Sequence, residues 1–249
     1  MIRVIHTVLA VTYIGLHFLL SLVTAFVPAL LLKLLGLHAW ADAVFRVNGK
    51  LMALGIMRSF GGRVRVFGSE RFPQNDNRLC IISNHQSYLD IPLLVGYLPV
   101  WPGFIAKVEV RKVPVVNLWM SSMKCVYIKR GNPRSSIEMI LEGTKRIKEG
   151  HPLVIFPEGT RSKSRKIHRF KAGSTKLATR SRGVIVPVTI LNTYRLWEED
   201  HLAHPTDICL MIHEPIDTAK LTDEEEKQLP QRVEAVINEG ARELEAMGY

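Results

Sequence analysis

Between Arg3 and Lys33 the chain contains no Asp, Glu, Lys or Arg: VIHTVLAVTYIGLHFLLSLVTAFVPALLL. As a helix this run extends roughly 43 Å at 1.5 Å per residue, against a bilayer core of about 30 Å. A cleaved signal peptide is shorter and ends in a small-x-small site, which is missing before Lys33. The absence of charge therefore points to membrane insertion. Cysteine is also scarce. Cys80 in LCIIS, Cys125 in CVYIK and Cys209 in ICLMI are the only three, each inside an apolar run without paired spacing. That excludes a disulfide framework and a cysteine-rich zinc site, and it fits a reducing, cytosol-facing compartment. No Gly-x-Ser-x-Gly elbow occurs, so the familiar serine nucleophile is missing. Nor is there an internal repeat, a low-complexity tract or a long linker.

Acidic residues are outnumbered, 23 against 33 Lys and Arg, for a formal net charge of +10. Such an excess suits an acidic partner: nucleic acid, an anionic membrane surface, a phosphorylated substrate or an acidic protein. Composition does not choose among them. Apolar residues make up 47% of the 249, which excludes disorder and leaves enough to bury a core.

Residues 35–60, LGLHAWADAVFRVNGKLMALGIMRSF, form a second, amphipathic stretch. Asp42, Arg46 and Lys50 recur every fourth position on one helical face, and Val44, Leu51 and Ile56 supply apolar area. Pro28 can kink or stop the first helix. The pair fits either a span followed by an interfacial helix or a hairpin dipping into one leaflet, and the proline favours the hairpin. We expect residues 1–60 to be a membrane-docking helical segment and 61–249 an α/β domain.

After residue 60 the pattern alternates between β and α. Strands are expected at Gly62–Phe67, Leu79–Ser83, Gly103–Lys107, Cys125–Lys129, Leu153–Phe156, Val184–Ile190 and Ile208–His213, short and bounded by Gly, Pro or polar residues. Helices are expected at Ile91–Leu98, Pro133–Glu149 and Asp223–Met247, the last opened by a Thr222/Glu225 capping box. The expected fold class is α/β, a mixed sheet of about seven strands flanked by helices.

Two polar islands interrupt this pattern. SNHQSYLD, residues 83–90, follows one strand and precedes an apolar helix. On a straight helix His85 and Asp90 would point about 140° apart. A turn between them can bring the carboxylate onto one imidazole nitrogen and leave the other free to take a proton. The plainer alternative is that both residues cap local structure. The second island, FPEGTRS at 156–162, combines a flexible Gly159, the hydroxyls of Thr160 and Ser162 and the guanidinium of Arg161, a planar fork matched to phosphate. Lys163, Arg165, Lys166, Arg169 and Lys171 continue the positive charge.

Together these islands resemble the glycerophospholipid acyltransferase family, most closely the lysophosphatidate acyltransferases. The family's four ordered blocks are matched by His85 with Asp90, by VYIKR ending in Arg130, by residues 156–162 throughout, and by VIVPVTI with Pro187. AKVEVRKVPVVN at 106–117 and FKAGSTKLA at 170–178 are similar to the connecting segments, so the resemblance runs over residues 60–215. Lys129 stands where an acid is common and Asn117 where a glycine is frequent.

The resemblance implies acyl transfer from a thioester, acyl-CoA or acyl carrier protein, to the 2-hydroxyl of lysophosphatidate, yielding phosphatidic acid. His85 is the expected base and Asp90 its orienter, with direct attack and no acyl-enzyme. Arg130 and Arg161 are expected to clamp the phosphate, with Gly159 and Thr160 beside them. Glu158 is expected to accept from the glycerol hydroxyl or to hold the arginines, and Lys107 to bind phosphate or stabilise developing negative charge. No metal or cofactor is expected. The bilayer is the expected partner, with the active site on its cytoplasmic side (the inner membrane in a bacterium). Another lysolipid or glycerol 3-phosphate is the alternative acceptor. A membrane-anchored adaptor would need neither His85 nor Asp90, and a nucleic-acid binder would explain neither motif.

Overall fold

The computed structural model describes residues 1–249. Helix α1 (Ile2–Ser21) continues through a π-helical turn (Leu22–Phe26) into α2 (Val27–Leu34). Pro28 neither stops the helix nor starts a hairpin. It has no N–H for the Thr24 carbonyl and its ring crowds that carbonyl, and the widened turn just before it, closed by Val27 N–H to Leu22 O, absorbs the misfit. The reversal comes at Leu35–Leu37, where Gly36 takes φ +75°. Helix α3 (His38–Ser59) then packs back along α1 and α2.

Residues 1–60 are not set apart from the rest. Ala41, Phe45, Met52, Ala53, Ile56 and Met57 of α3 belong to the same hydrophobic core as the sheet, and Asp42, Arg46 and Lys50 form its exposed stripe. Of the uncharged helix, by contrast, most is bare. The 33 residues Ile2–Leu34 are long and apolar enough to cross a membrane, and only 17% of their most apolar window is buried.

The sheet comprises β1 (Gly62–Phe67), β2 (Leu79–Ser83), β3 (Gly103–Lys107), β4 (Val126–Ile128), β5 (Leu153–Ile155), β6 (Val184–Leu191), β7 (Thr206–Ile212) and a two-residue β8 (Ile216–Asp217). Their spatial order is β1-β7-β6-β2-β5-β3-β4, with β8 alongside β6. Only β6–β7 and β6–β8 are antiparallel. The sheet is therefore mixed, as expected; the first three strands have the expected ends, and those of β4 to β7 differ by at most two residues. Strands β2 and β6 are buried at every position, which is why they read as continuous apolar runs.

Alternation within those runs divides the core. Leu79, Ile81, Val184, Val186 and Val188 face α1–α3, α4 (Asp90–Tyr97) and α5 (Pro114–Ser122). Cys80, Ile82 and Ile185 face α6 (Pro133–Lys148), α7 (Lys176–Ser181) and α8 (Asp223–Ala246). Helix α8 carries the Thr222/Glu225 capping box. Helices α5 and α7 overlap the connecting segments 106–117 and 170–178 and lie outside the helices given bounds from the sequence.

Pro187 sits in the middle of β6 without costing a ladder bond to β2. Its carbonyl accepts from His213 N–H on the opposite side, so its missing N–H also faces that side, in the gap between β8 (paired to Val184 and Ile185) and β7 (paired from Val188).

Candidate active site

All the expected site residues lie at the carboxyl ends of β2, β3, β4 and β5, where side chains of a parallel sheet converge. Strand β2 ends at Ser83, and Asn84 fastens that end to β6 by exchanging two hydrogen bonds of 2.8 Å with the Ile190 backbone. The next six residues fold around the Asp90 carboxylate. Oδ2 accepts from the N–H groups of Gln86 (2.7 Å) and Ser87 (2.9 Å) and lies 2.7 Å from His85 Nδ1. A turn, not a helix, thus joins His85 to Asp90. Asp90 is fully buried, and a carboxylate in that position holds Nδ1 as the protonated nitrogen. His85 Nε2 has no protein partner, and His85 lines the adjoining cavity. Phe156 stacks on the imidazole at 3.9 Å between ring centres and fixes its plane.

The second island is stitched to the first. His85 N–H donates to Glu158 Oε1 (2.6 Å), and His85 O accepts from Ser162 N–H (2.8 Å). The other Glu158 oxygen accepts from His168 N–H (2.8 Å). Burial pushes the Glu158 carboxyl up, against these two backbone donors. The expectation for Glu158 is corrected here: both oxygens hold backbone, and it neither lines the cavity nor touches the arginines. Arg161 is instead held by Glu198, with Nη1 2.5 Å from Oε1, while the Tyr88 ring lies 3.4 Å under the guanidinium.

The cavity has a volume of about 670 Å³. Its polar lining includes His85, Lys107, Arg130, Thr160, Arg161 and Lys171. Ile105, Val116, Met120, Ile128, Met139 and Ile140, from strands and from α5 and α6, form an apolar wall. Arg130 and Thr160 are exposed, and Lys107 pairs loosely with Glu109 at 3.8 Å. Gly159 takes φ +72°, and a Cβ there would run into Lys171 Nζ. Asn117, one of the two departures, accepts from Tyr127 O–H at 3.0 Å.

Cys80 and Cys209 are buried as expected. Cys125 is half-buried in the cavity wall, where its sulfur accepts from Phe104 N–H at 3.2 Å. Burial pushes the Cys80 and Cys125 thiols up to about 12 and the Cys209 thiol to about 11. No cluster of three His, Cys, Asp or Glu side chains suited to a metal forms.

Sequence reasoning missed Glu198, Thr193 and the stacking role of Tyr88. Glu198 opens the run EED and reads as solvated surface charge, 37 residues from the arginine it pairs. Thr193 reaches Asp90 from 103 residues away. No local pattern marks either residue.

A family model described as Acyltransferase matches residues 63–191. A 1-acyl-sn-glycerol-3-phosphate acyltransferase of Borreliella burgdorferi is 32% identical over 171 residues, 68% of each chain. The chloroplastic enzyme of that name from Brassica napus is 32% identical over 174 residues, covering 68% of this chain, which spans about half the length of that relative. The crystal structure of the 1-acyl-sn-glycerophosphate acyltransferase PlsC from Thermotoga maritima superposes with a TM-score of 0.81 at 31% identity, over 98% of both chains.

Proposed function

The chain belongs to the glycerophospholipid acyltransferase family, and on that premise we propose that it transfers a fatty acyl group from an acyl thioester to the 2-hydroxyl of 1-acylglycerol 3-phosphate. The observation that carries the proposal is the His85–Asp90 contact of 2.7 Å, beside a cavity that joins cationic and apolar walls.

An alcohol attacks a thioester poorly until a base takes its proton. His85 Nε2 accepts that proton while Asp90 stabilises the imidazolium through Nδ1. The alkoxide oxygen bonds to the thioester carbonyl carbon, and the tetrahedral intermediate collapses by breaking the carbon–sulfur bond. The departing thiolate takes from His85 the proton that the hydroxyl gave up. Attack is direct: thiols held near 11 to 12 are protonated at neutral pH and make poor nucleophiles. Arg161 and Arg130 hold the phosphate, with Lys107 close by. The apolar wall accommodates acyl chain. Glu158 acts by holding the two motif loops together. The thioester is acyl-CoA or acyl carrier protein, whose negative charge suits a chain of net charge +10.

A lysolipid resides in a bilayer, and residues 1–60 dock the site against it. Exposed Leu16, Leu19, Leu20, Val23, Leu30 and Leu31 of the first helix, together with Trp40, Val47 and Leu51 of α3, supply the apolar surface. The proposed arrangement is a hairpin in one leaflet, with the catalytic motifs and Arg58, Arg63 and Arg65 on the cytoplasmic side. Cysteines engineered near residues 2 and 60, in a chain lacking the native three, are labelled from the same side of sealed vesicles if this holds. Labelling of residue 2 only from the far side eliminates the hairpin.

Thioester consumption against a panel of acceptors tests the activity. Turnover with lysophosphatidate, lost in His85→Ala, is expected. Turnover only with another lysolipid or with glycerol 3-phosphate reassigns the acceptor, and none with any acceptor refutes the proposal.

A further inference from the structure

Immediately beyond the family match, which ends at residue 191, the chain makes a short strap, Asn192–Glu198, that no motif includes. Asn192 takes φ +73°, a left-handed conformation asparagine tolerates, and turns the chain back over the ends of β2 and β6. Trp197 anchors the strap edge-on against Phe60 at 5.4 Å. Within it, Thr193 and Glu198 each reach one half of the site.

Thr193 is fully buried, and its Oγ1 lies 2.5 Å from Asp90 Oδ1. No other group donates to that oxygen, since the remaining donors all meet Oδ2. Thr193 N–H and Gln86 Oε1 (3.2 Å) tie the strap to the turn that carries His85. A buried carboxylate oxygen without a donor is costly, so Thr193 satisfies Oδ1 and holds the Asp90 side chain in place. Glu198 has a side chain 1% exposed, and its Oε1 gathers Arg161 Nη1 (2.5 Å), Tyr88 N–H (3.2 Å) and Ser87 O–H (3.3 Å). Tyr88 stacks on the guanidinium from below. Base and guanidinium come from separate loops, after β2 and after β5, and the strap is a third segment that touches both.

We infer that the Asn192–Glu198 strap is a positioning element, in which Thr193 sets the His85–Asp90 pair and Glu198 aims Arg161 into the cavity. The inference rests on the roles proposed above for His85 and Arg161. Neither Thr193 nor Glu198 lines the cavity. Thr193 acts on proton transfer and so on kcat, whereas Glu198 acts on acceptor binding and so on KM. A general loss of packing would not divide the kinetic constants in this way.

The test uses the full chain in detergent–lipid micelles, on whichever panel acceptor the parent turns over, with thermal melts as a check on folding. Thr193→Val keeps the shape and removes the hydroxyl. It is expected to lower kcat about 10- to 100-fold with both KM values unchanged, while Thr193→Ser stays within about threefold of the parent. The downfield proton resonance of His85 Nδ1–H is expected to shift in Thr193→Val and to remain in Thr193→Ser. Glu198→Ala is expected to raise the acceptor KM about tenfold or more, and Glu198→Gln, which still accepts from Arg161, to recover most of it. Should either stronger variant fail to fold, Thr193→Ala and Glu198→Met, which keeps the length of the side chain but offers Arg161 no oxygen, are read by the same criteria. Parent-like kcat and an unmoved resonance in Thr193→Val overturn the role of Thr193. A Glu198→Ala loss shared equally by donor KM, acceptor KM and kcat overturns that of Glu198. The resonance needs no substrate, so a failure of the acyl-transfer reading is distinguishable from a failure of the strap.

Discussion

Replacing Asp90 by asparagine tests the proposed base with little disturbance of the fold. The new amide oxygen can take the position of Oδ2 and still accept from Gln86 and Ser87 N–H, now at 2.7 and 2.9 Å. The amide NH₂ then faces Thr193 Oγ1, whose proton can turn to Gln86 Oε1, 3.3 Å away. Every buried polar group keeps a partner, so melting should change little. The negative charge beside His85 Nδ1, 2.7 Å away, is lost. With charge centres about 4 Å apart and an effective dielectric near 20, that charge stabilises an imidazolium by about 4 kcal/mol. If the imidazolium forms in the transition state, turnover should fall about 10³-fold. The assay is thioester release at saturating donor and acceptor, with the melt measured alongside. A folded Asp90→Asn protein within about tenfold of parent turnover would refute the assignment of His85 as a base assisted by Asp90.

Arg161→Lys replaces a fork held between Tyr88 and Glu198 by a point charge, and about a tenfold or greater rise in lysophosphatidate KM is expected, with donor KM unchanged. An equal rise for both substrates would make Arg161 structural. Replacing Cys80, Cys125 and Cys209 together by alanine or valine should leave turnover within about tenfold, the rest being packing loss. Trapping of a covalent acyl-enzyme during turnover would overturn direct attack. His213 is buried and pushed down to about 4, its Nε2–H donating to Thr189 Oγ1, whose own proton goes to Ile237 O. Its folded value lies below its unfolded one, so the neutral form is favoured by folding. Its contribution is full above about pH 6.5 and is lost as pH falls towards 4, by up to about 3 kcal/mol. Chemical denaturation should show that loss, and His213→Gln should flatten it. An unchanged slope in the variant would mean that other groups carry the acid sensitivity.

The sequence by itself determined the strands, because short continuous apolar runs such as β2 and β6 suit a sheet buried on both faces. It also determined the His85–Asp90 turn, since the two residues are close enough along the chain for one carboxylate to collect its own loop's N–H groups. Tertiary structure decided whatever depended on distant segments meeting. Glu158 and Glu198 are chemically identical and both stand near apolar sequence. One holds two backbone loops and the other holds the arginine only because of where the chain returns after β6. Pro28 read as a kink or a stop, and a π-helical turn lets the helix continue to Leu34. Helix α3 read as an interfacial helix, and it also buries Phe45, Ile56 and Met57 in the core it shares with the sheet. A local pattern states which groups must be buried or paired, whereas the partner is fixed by which segments the folded chain brings within a few ångströms.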